Sequence, residues 1–389
     1  MPLDDAATLV DGMLPTLRDR AAEVDRAAAF PEDNLNLLRE NGLLGLLVPA
    51  DYGGLGGGLA DLTDLAQRLA GACLSTGMIW AMHCQQVDSL VRHAAPELKD
   101  HVLPRVARGE LYLASVTTEP GKGGHLLTGG APLRAAEGSL LLDRDAPIVT
   151  GGAQADGFLI TMRSAEEAAD REVSLVYADR DQLDIVPQEG WHTLGMRGTS
   201  SGGLKLSGRV PPGNVVGEPG NFRHVAMESM APVGHLAWAA CWLGTAHSAL
   251  RGVLDLIRSR NRPRGLDPSS DLVRERLARV RMDLELVSAY LHRVRQEVDD
   301  HRAAGTSVGG PSTQVHLNTL KVAAAEHTFA AVHKLVQLCG LFSAYRTDAA
   351  IPLERHFRDL RSASLNYADD RLLTANGALS LLDRTARLA

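Results

Sequence analysis

Thr118-Glu119-Pro120-Gly121 and Leu194-Gly195-Met196-Arg197-Gly198-Thr199, the second running on to Val210-Pro211-Pro212-Gly213-Asn214-Val215-Val216-Gly217, lie at the two sides of a segment unlike the rest of the chain. Across residues 114–218 the apolar residues come in short runs: Leu140-Leu141-Leu142, Phe158-Leu159-Ile160, Val173-Ser174-Leu175-Val176-Tyr177 and Leu204-Lys205-Leu206. Gly, Asp and Pro turns separate them. Short apolar runs between turn residues are strands, so this middle third reads as a small β-domain.

On either side the periodicity is helical. In residues 1–113, Leu35, Leu38 and Leu43-Leu44 share one stripe and Leu62, Leu65, Ala66 and Leu69 another, so this part reads as all-α. The glycine-rich run between them, Pro49-Ala50-Asp51-Tyr52-Gly53-Gly54-Leu55-Gly56-Gly57-Gly58, follows no strand and carries neither GxGxxG nor Lys-Ser/Thr. It is a tight turn, not a nucleotide loop. In residues 219–389, Val273, Leu277, Val280, Leu284, Val287, Leu291, Val294 and Val298 alternate in steps of four and three. Such a seam makes a helix of about 38 Å that packs antiparallel in a bundle. Ala303 to Ser312 is the loop to a further helix ending near Cys339-Gly340, and a last helix holds Arg358-Asp359 and runs to Leu382.

At 389 residues the chain exceeds one core, and a net charge of -7 without long single-sign runs argues against nucleic-acid binding. Cys73, Cys84, Cys241 and Cys339 have neither metal-type nor disulfide-scaffold spacing, so reduced thiols and no metal are expected. The start, Met1-Pro2-Leu3-Asp4-Asp5, has no basic and apolar leader pattern, and Ala231 to Ala246 is too short to span a bilayer. A cytoplasmic protein is expected.

The two opening stretches, together with the order helical, β, helical bundle, resemble the acyl-CoA dehydrogenase superfamily over nearly the whole chain. The resemblance implies an α+β, mainly α fold: an N-terminal helical domain (1–113), a central small β-barrel domain (114–218) and a C-terminal four-helix bundle (219–389). It also implies bound FAD, or FMN for an oxygenase, and a homodimer or homotetramer. A flavin reduced at N5 gathers charge near N1 and C2=O, which calls for hydroxyl and N–H donors. By resemblance Ser115 and Thr118 line the pyrimidine side and Thr150 sits near N5, with Ile148 where the family has a tryptophan. Taken singly, Thr118 and Thr150 are also ordinary strand threonines. Arg260 corresponds to the arginine that reaches the pyrophosphate across the dimer interface, while Gln337 and Gly340 match the adenine end. The chain departs from the pattern at Asn261-Arg262-Pro263-Arg264, Leu341-Phe342-Ser343 and Gly123-Gly124-His125.

Oxidation of an acyl thioester at its α,β bond needs a carboxylate base for the α-proton. The family places it nine residues after the Arg of its Arg-Asp pair, which from Arg358 is Tyr367; the other family position falls on Gly234. His235 and Tyr367 are therefore the candidate catalytic pair, expected to be neighbours across the pocket. Asp369 is a further candidate, as is Asp370, with surface solvation or contact near the flavin phosphates the alternative. The reading is an acyl-CoA dehydrogenase-like oxidoreductase taking a CoA or carrier-protein thioester or another small molecule, with an electron acceptor or flavin reductase as partner. The rivals are a two-component flavin monooxygenase on a small natural-product substrate and a non-catalytic flavin-fold scaffold.

Overall fold

The computed structural model describes residues 3, 6–121, 125–188, 190–260 and 262–389; the departures at Gly123, Gly124 and Asn261 lie outside them. Five helices come first: α1 (Ala6–Ala27), α2 (Glu32–Glu40), α3 (Leu59–Ala72), α4 (Leu74–His93) and α5 (Pro96–Ala107). Each begins where local chemistry favours it. The Gly58 N–H donates to Asp61 Oδ2 (2.8 Å) at the head of α3, and Pro96 opens α5, where its missing N–H costs nothing.

The strands form two four-stranded sheets. One has the order β1 (Leu113–Val116), β4 (Gly157–Arg163), β5 (Val173–Asp179), β8 (Val215–Val216). The other has the order β2 (Arg134–Ala136), β3 (Ser139–Ala146), β7 (Leu204–Val210), β6 (Leu183–Pro187). β1 runs parallel to β4, and every other pairing is antiparallel. β4 and β5 are buried almost throughout, as continuous apolar runs require, whereas β3 and β7 alternate inward and outward residues. The expected small barrel thus takes the form of two sheets, one inner and one with a solvated face.

After the short α6 (Phe222–Val225) and a π-helical turn at Ala226–Met230 come α7 (Ala231–Arg258), α8 (Asp271–Ala303) and α9 (Pro311–Gly340). α7 is the central helix. Every residue from Ala231 to Ala246 is buried, because α3, α4, α8, α9 and α10 (Leu353–Leu360) surround it; a helix apolar on all sides belongs in such a place. Among the described residues no helix is long and apolar enough to cross a membrane. The heptad seam of α8 is buried at Val273, Val280, Leu284, Val287, Leu291, Val294 and Val298.

One expectation is corrected. The last helix is not continuous: α10 (Leu353–Leu360) and α11 (Asp369–Leu382) are separated by a turn at residues 361–368. The break is stabilised locally by Leu365 N–H to Ser362 O (2.9 Å) and Asp369 N–H to Ser364 O (3.1 Å). Tyr367, in that turn, has φ +45°, which ends a right-handed helix.

Candidate functional site

The segment Leu194 to Thr199 is a three-way joint. Gly195 lies so close to α10 that an added Cβ would stand 2.1 Å from Arg358 O. Met196, in the left-handed region at φ +53°, donates its N–H to Asp359 Oδ1 (2.6 Å). Arg358 grips Asp25 of α1 (3.0 and 2.6 Å), Glu354 (2.8 Å) and the Leu194 carbonyl (3.1 Å). Burial pushes the Asp359 carboxyl up to about 6 against the pull of the Met196 N–H. The Arg-Asp pair therefore fastens the β-sheet region to both helical regions.

The adjoining floor is built at the ends of β1 and β3. Thr118 donates its hydroxyl to Ile148 O (2.8 Å) and accepts from Ile148 N–H (3.2 Å), clipping two segments together. Thr150 Oγ1 shares a hydrogen bond with Ser201 (3.0 Å), which shares another with Thr199 (2.9 Å). Both threonine hydroxyls thus have protein partners. Ser115 is half-buried on β1 beside them, and Ile148 presents an apolar side chain that is 46% exposed. Beneath lies an ion pair that sequence reasoning missed. Arg144, fully buried, binds Glu119 (2.7 Å) and the Thr118 carbonyl (2.9 Å), while Glu119 accepts N–H groups from Gly130 (2.9 Å) and Ala131 (2.7 Å). The glutamate of Thr118-Glu119-Pro120-Gly121 is thereby committed to holding the loop.

A second wall is formed by α7, α9, α4 and the turn carrying Tyr367. His235 and Tyr367 are neighbours, ring centroids 5.8 Å apart, and Trp238 lies 5.0 Å from Tyr367. The side chain of Gln85 on α4 donates to Met230 O (2.6 Å). Gln85 also fills the space at Gly234, where a Cβ would come 2.3 Å from its Nε2. Burial pushes Tyr367 up to about 12 and His235 down to about 3, the latter helped by the Lys321 cation and opposed by the Leu317 backbone. Neither His235 ring nitrogen nor the Trp238 Nε1–H has a hydrogen-bond partner of normal geometry.

Asp369 is corrected as a surface group. It is buried, and Lys321, itself fully buried on α9, donates to its Oδ1 at 2.6 Å. Burial raises the carboxyl and lowers the ammonium, and their pairing opposes both shifts. Lys321 was legible as the one cation in the apolar run Leu320-Lys321-Val322-Ala323-Ala324-Ala325; Gln85 and Trp238 carried no such signal.

The adenine-end residues lie elsewhere. Arg260, Gln337 and Gly340 are exposed, at the end of the bundle where α7 and α9 both finish. Gly340, at φ +72°, turns the chain into Leu341–Tyr345, where Leu341, Phe342 and Tyr345 are also exposed. The chain does not bring these three residues to the floor formed by Ser115, Thr118 and Thr150.

Comparison with known proteins agrees with this architecture. Residues 9–110 match the family "Acyl-CoA dehydrogenase, N-terminal domain" and residues 236–367 "Acyl-CoA dehydrogenase, C-terminal domain". A dibenzothiophene monooxygenase of Rhodococcus qingshengii is 24% identical over 67% of the chain; the match spans 64% of that protein's own length. The mitochondrial isobutyryl-CoA dehydrogenase of Dictyostelium discoideum is 26% identical over 91% of the chain and 82% of its own. The crystal structure of TdsC from Paenibacillus sp. A11-2 with FMN and indole superposes with a TM-score of 0.87 at 23% identity, covering 98% of each chain. With helical regions either side of paired sheets and matches at both ends, the chain belongs to the acyl-CoA dehydrogenase superfamily.

Proposed function

We propose that this chain is a flavin-dependent monooxygenase acting on an uncharged, planar aromatic small molecule. The observation that carries the reading is the missing base: Tyr367 and Gly234 occupy both carboxylate positions of the family, and the nearby Asp369 is tied to Lys321. A phenol pushed up to about 12 holds its proton at neutral pH, and an imidazole pushed down to about 3 is a weak acceptor. Neither suits removal of a weakly acidic α-proton. Both suit hydrogen bonding to a polar edge beside an aromatic face.

The floor fits a flavin. A tricyclic ring needs an apolar platform and polar edge groups, and Ile148 lies between Thr118 and Thr150 with Ser115 alongside. Those residues would hold the ring of FAD or FMN alike; Arg260, Gln337 and Gly340 of a second copy would hold an adenine end. When bound and reduced, the flavin supplies the electrons for activating O2, delivered by a separate reductase. Trp238 and Tyr367 stack against and orient the substrate, and neutral His235 keeps the wall uncharged.

Acyl-thioester dehydrogenation is the second reading, favoured by the match along 91% of the chain to an isobutyryl-CoA dehydrogenase. It requires His235 as base. The flavin-loaded protein should show no anaerobic bleaching with isobutyryl-CoA or butyryl-CoA. Supplied with externally reduced flavin and 18O2, it should place labelled oxygen on indole or dibenzothiophene. Fast bleaching by either thioester would overturn the proposal.

A further inference from the structure

Lys321 spans the turn that carries Tyr367. Its ammonium donates to the Ala363 carbonyl (2.9 Å), four residues before Tyr367, and to Asp369 Oδ1 (2.6 Å), two residues after it. It also stands 5.6 Å over the Trp242 ring. An ammonium has three N–H donors, and a carbonyl, a carboxylate and an aromatic face together account for them. The side chain is fully buried, so water offers no substitute.

Tyr367 needs such restraint. At φ +45° it occupies the left-handed region, which a bulky side chain adopts only where its surroundings hold it. The next residue, Ala368, has φ −9° and ψ 120° before α11 begins. α7 supplies the other half of the restraint: Trp242 underlies Lys321, Trp238 lies 6.4 Å from Trp242, and Trp238 packs on Tyr367. One cation therefore ties together α9, the central helix and both ends of the turn.

We infer that Lys321, with Asp369 as its anchor, is a positioning residue that holds the Tyr367 ring against His235 and Trp238. The inference rests on the proposed site for its activity readout, although the restraint itself does not depend on which oxidation the site performs. Lys321 touches neither substrate nor cofactor; it acts through the turn. Asp369 takes part as a hydrogen-bond acceptor, so an amide in its place should preserve the restraint.

The test uses the full-length protein labelled with 3-fluorotyrosine, the Tyr367 resonance being assigned by its absence in Tyr367→Phe. Because Lys321→Met alone strands a buried carboxylate, the decisive variant is the neutral double substitution Lys321→Met/Asp369→Asn. In it the Tyr367 fluorine resonance should move to a solvent-exposed position. Turnover should fall on the order of 10- to 100-fold, as displacement of a site group predicts, and adding Tyr367→Phe should cost nothing more. Asp369→Asn alone, which leaves the buried Lys321 ammonium without its counter-charge, should lower stability yet keep the wild-type resonance in the folded protein, because the amide oxygen still accepts from Lys321. An unmoved resonance in the double variant, or an equal cost of Tyr367→Phe in both backgrounds, overturns the inference. If no aromatic compound is oxidised, the proposed function fails while the fluorine spectrum still decides the restraint.

Discussion

The floor and the Tyr367 wall handle their polar groups in opposite ways. On the floor the hydroxyls of Thr118 and Thr150 already have protein partners, and Arg144 and Glu119 pair beneath them, with the Arg144 Nε–H left buried without a partner. On the wall, both His235 nitrogens and the Trp238 N–H are buried without one. Buried polar groups are almost always satisfied, so an unsatisfied cluster marks where a ligand's polar atoms are expected. The floor is framework. The wall carries Gly234 and Tyr367, the two positions at which the family resemblance implies no carboxylate base.

The contrast can be broken most sharply at the joint behind the floor. Gly195→Ala places a methyl group against the Arg358 backbone, where only main-chain movement relieves it, and should destabilise by at least about 4 kcal/mol. Loss of soluble protein or a collapsed thermal transition is the measurement, and a wild-type transition would remove the joint from the account.

On the wall, Lys321→Met should cost about 3–5 kcal/mol in urea unfolding, because Asp369 stays buried without its cation. The double variant that also removes the charge of Asp369 should recover most of it. Equal stability of the single and double variants would mean the pair is not electrostatically coupled.

Acid sensitivity separates the regions further. His83, His235 and His356 are buried, with burial pushing them down to about 4, 3 and 3. Their folded values lie below that of an unfolded histidine, near 6.5, so unfolding takes up protons as pH falls. The stability they permit is whole above about pH 6.5 and is lost progressively toward pH 3. His235→Phe should flatten the slope of unfolding free energy by about 1.4 kcal/mol per pH unit in the lower part of that window. Asp359 acts with the opposite sign: raised to about 6, its contribution is present below about pH 4 and lost as pH rises to 6. Asp359→Asn should therefore steepen the net decline on acidification between pH 6 and 4, and an unchanged slope would refute that.

The smallest expected effect is on the floor. Thr118→Val keeps the shape but removes the clip to Ile148, which should cost about 1 kcal/mol and weaken flavin retention in equilibrium dialysis. Unaltered retention would show that the ring does not depend on this junction.

Much of the fold was legible because it follows from periodicities that one chain segment displays by itself. The seam of α8, the short apolar runs of β4 and β5 and the uniformly apolar start of α7 each state how much of the element is buried. The family resemblance, applied from Arg358 and Gly234, also anticipated that His235 and Tyr367 are neighbours. The break at residues 361–368 did not: no proline or glycine interrupts Leu353 to Leu373, and the turn is held from outside by Lys321, some forty residues earlier in the chain, bonding Ala363.

Sequence alone thus determined the order of helices and strands and the family, because these depend on residue type and local spacing; that no carboxylate stands at the two base positions is what the family resemblance implies. Tertiary structure alone decided what became of the remaining charges. Glu119 was turned into a loop anchor by Arg144, and Asp369 into a tether by Lys321. Ion pairing between distant segments leaves no periodic trace in either partner, and the burial that strengthens it exists only once the helices have packed.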